Sequence, residues 1–142
     1  MWPGLIALLT ALVVATGFAL YRRRVDGRFR TAPTEPEATA DRLTEDDLGA
    51  PLGPSATVVQ FSSEFCAPCR AAERIITETV ADLDGVHYLD IDSEQKLELV
   101  RRLNILRTPT VVVTDSTGRI LARTAGVPTK QSLQSVLLAG AN

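Results

Sequence analysis

TVVQFSSEFCAPCRAAERIITETVADL, residues 57–83, is the stretch of sequence that decides the fold. Its first six residues are rich in β-branched side chains and predict a short strand. Residues 69–83 then carry apolar side chains at the spacing of one helix face, namely Ala72, Ile75, Ile76, Val80 and Leu83. A strand therefore leads into a helix, and Cys66 and Cys69 lie at the turn between them.

A second strand and a second helix are predicted directly after this unit. Gly85 is expected to end the first helix, and residues 86–91, VHYLDI, predict a strand. Ser93 is the expected N-cap of a helix. The apolar face of that helix would carry Leu97, Val100 and Leu103.

The chain closes with a predicted hairpin and helix. Residues 110–114 predict a third strand, residues 115–118 a turn in which Gly118 is suited to a positive φ, and residues 119–124 an antiparallel partner. Thr129 is the expected cap of a last helix that turns Leu133, Val136 and Leu137 inward. The order β-α-β-α-β-β-α predicts an α/β fold: a mixed sheet with helices on both faces.

The N-terminal segment, residues 1–21, contains no charged side chain. As a helix rising about 1.5 Å per residue it would span roughly 30 Å, the thickness of a bilayer core. A cleaved signal peptide would have basic residues before the apolar run, whereas here five arginines follow it between positions 22 and 30. We therefore predict a retained transmembrane helix, with everything after Arg22 in the cytoplasm and the basic segment against anionic lipid.

The next segment differs in composition. Residues 31–54 hold four prolines and six acidic residues against a single basic residue, Arg42. This composition predicts a mostly flexible tether that buries no core, apart from a short helix or edge strand over residues 43–48. The expected organisation is a transmembrane helix over 1–21, a juxtamembrane segment and linker over 22–54, and one domain over 55–142.

Composition also excludes several kinds of function. The 142 residues are enough for one domain, and a formal net charge of −2 gives no sign of a nucleic-acid partner. Two cysteines and one histidine cannot complete a four-ligand zinc site from those residue types. His87 lies inside the second predicted strand, where a packed or surface histidine is the simpler interpretation. We expect neither a metal nor a cofactor.

The cysteine pair points to redox chemistry because of its place at the start of a helix. The N–H groups and dipole at a helix N-terminus favour negative charge, so we expect a lowered pKa for the Cys66 thiol. The thiolate attacks disulfides, and Cys69 can resolve the mixed disulfide one turn on. Pro68 is tolerated in a first helical turn, and Arg70 adds a positive charge nearby. A purely structural disulfide or an inert buried pair is the alternative, but so small a ring gains little loop entropy.

Residues 61–70, FSSEFCAPCR, resemble the active-site segment of thioredoxins, whose usual form is Trp-Cys-Gly-Pro-Cys-Lys. Residues 107–110, RTPT, look like the second landmark of that family, a cis-proline before a strand, and Gly126 matches the glycine before its last helix. The resemblance implies a thioredoxin fold, thiol–disulfide exchange and a peptide groove where the backbone of Thr108 pairs with the substrate. The groove residues would be Phe65, Ala67, Pro68, Thr108, Pro109 and Gly126.

The sequence departs from the thioredoxin pattern at three positions. Phe65 replaces the usual tryptophan, Gln60 stands where a buried aspartate is common, and Tyr88 stands where its companion lysine is expected. Losing both charges together is coherent, because either one alone is costly to bury. That aspartate is the proposed proton acceptor of the second cysteine, so the resemblance leaves Cys69 without a general base. The start of a full thioredoxin domain is expected to be reduced or supplied by residues 44–53.

Together these features predict a membrane-tethered disulfide reductase that faces the cytoplasm. Its partners would be protein disulfides, an electron-donating reductase and, through residues 1–30, membrane lipid. Two alternatives stay open: an extracytoplasmic thioredoxin-like protein of cytochrome or envelope protein maturation, and a non-catalytic adaptor that uses the groove for binding. The arginine placement argues against the first alternative, and the two intact cysteines argue against the second.

Overall fold

The computed structural model describes residues 2–25, 29–31 and 42–140. From residue 56 onward the elements follow the predicted order β-α-β-α-β-β-α. In chain order the helices and strands are α1 (Trp2–Val25), β1 (Arg30–Thr31), α2 (Glu45–Leu48), β2 (Ala56–Ser62), α3 (Ala67–Val80), β3 (Val86–Asp92), α4 (Leu97–Arg102), β4 (Thr110–Asp115), β5 (Ile120–Ala125) and α5 (Lys130–Gly140).

The strands form one mixed sheet in the order β1-β5-β4-β2-β3. The crossover through α3 makes β2 and β3 parallel, while β4 is antiparallel to both β2 and β5. Gly118 adopts φ +82° in the turn between β4 and β5, as predicted. The predicted α/β class with a mixed sheet is therefore confirmed.

Two apolar clusters cover the two faces of the sheet, because successive side chains of a strand point to opposite sides. One cluster joins Val59, Phe61 and Val112 of the sheet to side chains of α2 and α4. The other joins Val58 and Val111 to side chains of α3 and α5. The helices therefore lie on both faces, and the strand that leads to Cys66 is buried between them.

Residues 42–54 contain the short helix predicted over 43–48, found as α2, but they differ from the prediction in their burial. Leu43 is fully buried and Leu48 nearly so, and both belong to the cluster under α2 and α4. The Thr44 hydroxyl accepts a hydrogen bond from the Asp47 N–H at 3.2 Å, and the Asp47 carboxylate accepts one from the Thr44 N–H at 2.9 Å. The expectation of a tether that buries no core is wrong here, because this capped turn carries two leucines into the core.

Asp47 also connects α2 to α4. Its carboxylate lies 2.6 Å from the Arg102 guanidinium. Burial raises the pKa of Asp47, but hydrogen bonds from Arg102 and from Thr44 outweigh burial, and the pKa is lowered. The carboxylate therefore contributes stability in its charged form.

The segment predicted to follow the membrane helix also joins the sheet, through residues 29–31. Arg30 pairs with Arg123 and Thr31 with Ala122 in an antiparallel ladder, and Phe29 packs against the α3–α5 cluster. The expected flexible tether therefore does not begin at Thr31, since that residue is already paired with β5. Residues 26–28 and 32–41, including most of the predicted linker, lie outside the described residues.

The boundaries of two helices differ from the prediction. α3 begins at Ala67 and ends at Val80, before Leu83 and Gly85. α4 begins at Leu97 with Lys96 as its N-cap, so the predicted cap at Ser93 is wrong. Ser93 instead lies in the turn after β3, where its N–H donates to the carbonyl of Ser62 at 2.9 Å.

α1 and α5 agree with the sequence more closely. α1 is exposed, and its segment Gly4–Arg22 has a mean hydropathy of 2.1, enough to cross a membrane by length and composition, as a signal sequence would also be. The Thr129 hydroxyl accepts a hydrogen bond from the Ser132 N–H at 3.2 Å at the start of α5. Leu133 and Leu137 are buried, and Val136 packs against the same cluster.

Candidate active site

The ends of several strands meet at one edge of the sheet, and the cysteines lie there. In register, Phe61 of β2 pairs with Thr110 of β4, which pairs with Ala125 of β5. The loop after β2, the loop before β4 and the residue after β5 therefore leave the sheet side by side. This topology brings together the cysteine turn, the Thr-Pro segment and Gly126, which are far apart in sequence.

Cys66 and Cys69 occupy different environments within one helical turn. Cys66 is the N-cap of α3 and is half-buried, whereas Cys69 is 4% exposed. The two are joined by a disulfide with their Cα atoms 5.2 Å apart. The Cys69 N–H donates to the Cys66 sulfur at 3.2 Å, so the first sulfur already accepts a backbone hydrogen bond at the helix start.

The segment expected to hold a cis-proline does so at the Thr108–Pro109 bond. The hydroxyls of Ser63 and Thr108 lie 3.2 Å apart and hydrogen-bond the two loops to each other. The Pro109 carbonyl accepts a hydrogen bond from the Gly126 N–H at 2.7 Å. Gly126 has φ +98°, a conformation that explains why glycine is found at this position.

The predicted groove residues differ in exposure. Phe65 is 94% exposed, and Ala67 and Pro68 are exposed with it on the cysteine turn. Thr108 is half-buried and Pro109 buried on the neighbouring loop. Leu106, which no sequence motif singles out, is 85% exposed just before that loop. An aromatic and an aliphatic side chain thus stand in solvent on the two loops.

A polar pocket of about 540 Å³ opens on the other side of the cysteines, toward α3 and β3. Gln60, Cys69 and Glu73 line it together with Asp90 and Asp92. Gln60 is 1% exposed, and its amide nitrogen donates to the Cys69 carbonyl at 3.1 Å. Its other amide atom, Oε1, is buried without a hydrogen-bond partner in the part of the chain that the structure describes.

Tyr88 lies on β3 two residues before Asp90 and is paired in register with Val58. Burial, together with the negative charges of Asp90 and Glu73, raises the pKa of Tyr88, and its buried hydroxyl finds no partner among the described residues. The tyrosine therefore stays neutral at physiological pH. Gln60 and Tyr88 therefore place a neutral amide and a neutral phenol at the two positions where thioredoxins commonly have an aspartate and a lysine.

Sequence reasoning did not select Glu73 or Asp90. Glu73 lies four residues after Cys69, and therefore one helical turn along the same face. Asp90 lies directly opposite Gln60 in the parallel ladder. The position of Glu73 follows from helical spacing. The position of Asp90 follows only from the register of β2 and β3, which spacing alone does not give.

Comparison with known proteins agrees with the fold and the cysteine turn. The family model for thioredoxin matches residues 48–139. Thioredoxins of Staphylococcus epidermidis and Staphylococcus aureus are 23% identical to this chain over 97 residues, which is 68% of this chain and 92% of each relative.

Solved structures give the same result. A thioredoxin of Fasciola hepatica superposes with a TM-score of 0.54 at 20% identity, covering 62% of this chain and 83% of its own. A thioredoxin of Nicotiana alata gives 0.55 at 22% identity, covering 63% and 76%. The mixed sheet and the Cys66–Cys69 pair support an oxidoreductase in general and are consistent with thiol–disulfide redox activity. The chain belongs to the thioredoxin family.

Proposed function

We propose that this chain is a membrane-tethered oxidoreductase that reduces protein disulfides, with Cys66 as nucleophile and Cys69 as resolving cysteine. The observation that carries the proposal is the difference between the two thiols: Cys66 caps α3 and is half-buried, while Cys69 is 4% exposed. A thiolate at a helix N-terminus is stabilised by the N–H groups there. The accessible sulfur is therefore also the one best placed to be ionised.

The reaction proceeds in two exchanges. The Cys66 thiolate attacks one sulfur of the client disulfide, the client S–S bond breaks, and a mixed disulfide forms while the second client sulfur leaves as a thiolate. The Cys69 thiol then loses its proton and attacks the Cys66 sulfur, which releases the first client sulfur. The client gains two electrons and the cysteine pair loses two. An electron-donating reductase would return the pair to its dithiol form.

The client would bind across the two loops at the cysteine edge. The exposed ring of Phe65 gives this surface apolar area, and the backbone of Thr108 is available to an extended segment beside the cis-proline. The groove would comprise Phe65, Ala67, Pro68, Thr108, Pro109 and Gly126. Recognition mainly through backbone atoms would allow many client sequences.

Cysteine trapping tests the assignment of roles. Cys69→Ser should accumulate mixed disulfides with client proteins, because the nucleophile remains and the resolving thiol is gone. Cys66→Ser is the matched control and should trap almost none. Equal trapping by the two variants, or a reversed pattern, would refute the assignment, and trapping by neither would favour a binding adaptor.

The membrane part of the proposal rests on α1 and on the five arginines between positions 22 and 30. Arginine-rich flanks stay on the cytoplasmic side, so the domain would face the cytoplasm. Labelling Cys66 with a membrane-impermeant thiol reagent tests this topology. Protection in intact cells and labelling after lysis are expected. Labelling in intact cells would instead support the extracytoplasmic alternative in cytochrome or envelope protein maturation.

A further inference from the structure

The resolving step needs an acceptor for the Cys69 proton, and this requirement rests on the proposed function. Gln60 occupies the position of the family's buried aspartate, and an amide cannot take up a proton at physiological pH. Cys69 is 4% exposed, so bulk water has little access to its sulfur. The acceptor must therefore be reached through the polar pocket that Cys69 lines.

Gln60 supplies the observation that points to a bound water in this pocket. Its side chain is 1% exposed and lines the pocket, and Oε1 has no partner among residues 2–25, 29–31 and 42–140. Its amide nitrogen is held by the Cys69 carbonyl at 3.1 Å, which fixes the orientation of the amide. A buried polar atom left unpaired beside a roomy polar cavity is typically satisfied by ordered water.

The carboxylates of the pocket are not equivalent. Asp92 is engaged, since its two oxygens accept hydrogen bonds from the Glu94 N–H and the Gln95 amide, both at 2.9 Å. The side-chain carboxylates of Glu73 and Asp90 make no hydrogen bond or ion pair within the described part of the chain. They approach from different elements, Glu73 from α3 and Asp90 from β3.

We propose that Glu73 and Asp90 accept the proton of Cys69 through water held at Oε1 of Gln60, and so replace the buried aspartate of the family. The Cys69 S–H bond breaks, its proton passes through water to a carboxylate, and the resulting thiolate attacks the Cys66 sulfur. The carboxyl group then returns the proton to solvent through the open side of the pocket. Gln60 is a positioning residue in this scheme.

The charges around the pocket are consistent with this scheme. Tyr88 on β3 does not line the pocket, but burial and its interaction with the charges of Asp90 and Glu73 raise its pKa, so the phenol stays neutral. The other charged groups that line the pocket are Arg70 on α3, Glu64 before the cysteine turn and Asp92. Arg70 and Glu64 are exposed. Glu73 and Asp90 are exposed as well, so they line the pocket from its solvent side, and the water at Gln60 must carry the proton out to them from Cys69.

Single-turnover kinetics separate the two thiols. The reduced full chain in detergent micelles is mixed with a substoichiometric chromogenic aromatic disulfide, dithiobis(nitrobenzoate). The first nitrothiolate is released when Cys66 attacks, at a rate that depends on reagent concentration. The second is released when Cys69 resolves the mixed disulfide, at a rate that does not. Following both releases between pH 6 and pH 9 gives a separate pH profile for each step.

The test variant is Glu73→Gln with Asp90→Asn, and the control is Glu78→Gln with Glu94→Gln, which removes the same charge from exposed positions outside the pocket. The test variant should slow the second release about tenfold or more near pH 7, with the difference shrinking toward pH 9 as Cys69 ionises unaided. The control should match the unmodified chain.

The outcomes distinguish this inference from the proposed function. Equal second-release rates near pH 7 in the test variant and in the unmodified chain would overturn the role of Glu73 and Asp90. Equal slowing at every pH would also overturn it, because a general structural effect has no reason to vanish when the thiol titrates. Absence of the first release in the unmodified chain would refute the proposed function instead.

Discussion

Replacing Leu43 by alanine tests whether the segment before β2 is an integral part of the domain. Leu43 is fully buried in the α2–α4 cluster. The change removes about three methylene equivalents, each worth about 0.8 kcal/mol of burial, and the cavity left behind adds to this loss. We expect the free energy of unfolding to fall by about 3–4 kcal/mol. The backbone hydrogen bond from the Leu43 N–H to the Gly118 carbonyl, 2.8 Å, is retained in the variant.

The assay is urea unfolding of the full chain in detergent micelles, followed by circular dichroism. Leu138→Ala is the matched control, because Leu138 is the same residue type but 64% exposed on α5. That variant should change the free energy of unfolding by no more than about 0.5 kcal/mol. If Leu43→Ala costs less than about 1 kcal/mol, the segment is not held in the core and the domain begins later than the packing implies.

Three further predictions concern the site, the pH dependence of stability and the membrane. Gln60→Asp should lower the free energy of unfolding by about 1–3 kcal/mol, because burial disfavours an unpaired carboxylate and raises its pKa. In the Glu73→Gln, Asp90→Asn background it should nevertheless restore fast resolution near pH 7. An unrestored rate would contradict the conclusion that Cys69 needs a proton acceptor. Asp47 has a lowered pKa, so it contributes stability above about pH 4 that is lost as the pH falls through its folded-state pKa. The stability of Asp47→Asn should therefore depend less steeply on pH below about 4 than the stability of the unmodified chain. Parallel acid-unfolding curves would argue against the Arg102 contact. Cell fractionation should recover the full-length chain in membranes, and a soluble form beginning after α1 would identify a signal sequence instead.

The chemistry of the site was largely readable from the sequence. Cys66, Cys69 and Pro109 are residues that a reactive turn and its neighbouring loop require in type and order, so their motifs identify the edge of the sheet where they meet. Gly126 was matched through the same family pattern, and its φ of +98° gives the physical reason. Spacing could not show the cross-strand register, and for that reason Asp90 opposite Gln60 was missed.

The extent of the domain was less predictable. Leu43 and Leu48 are the two buried leucines of a short acidic stretch, and two side chains give too little periodicity from which burial can be inferred. β1 is two residues long, too short for any strand pattern. Ser93 has the chemistry of a cap, but its hydroxyl has no hydrogen-bond partner among the described residues, its N–H holds it to Ser62 in the turn after β3, and the helix begins at Leu97. In each case the structure of the segment depends on a tertiary contact that local composition does not predict.

The two-residue strand β1 shortens the distance that the redox domain can travel. Val25 ends α1 and Arg30 begins β1, five residues on, and an extended chain covers about 3.5 Å per residue, so this connection reaches about 17 Å. Residues 32–41 add no reach, since Thr31 pairs with β5 and Arg42 forms a bridge with Arg119. If α1 spans a bilayer, this short connection keeps the cysteines close to the membrane surface. A client held in the same membrane would then meet the cysteines by diffusion in the plane of the bilayer, within reach of this short connection.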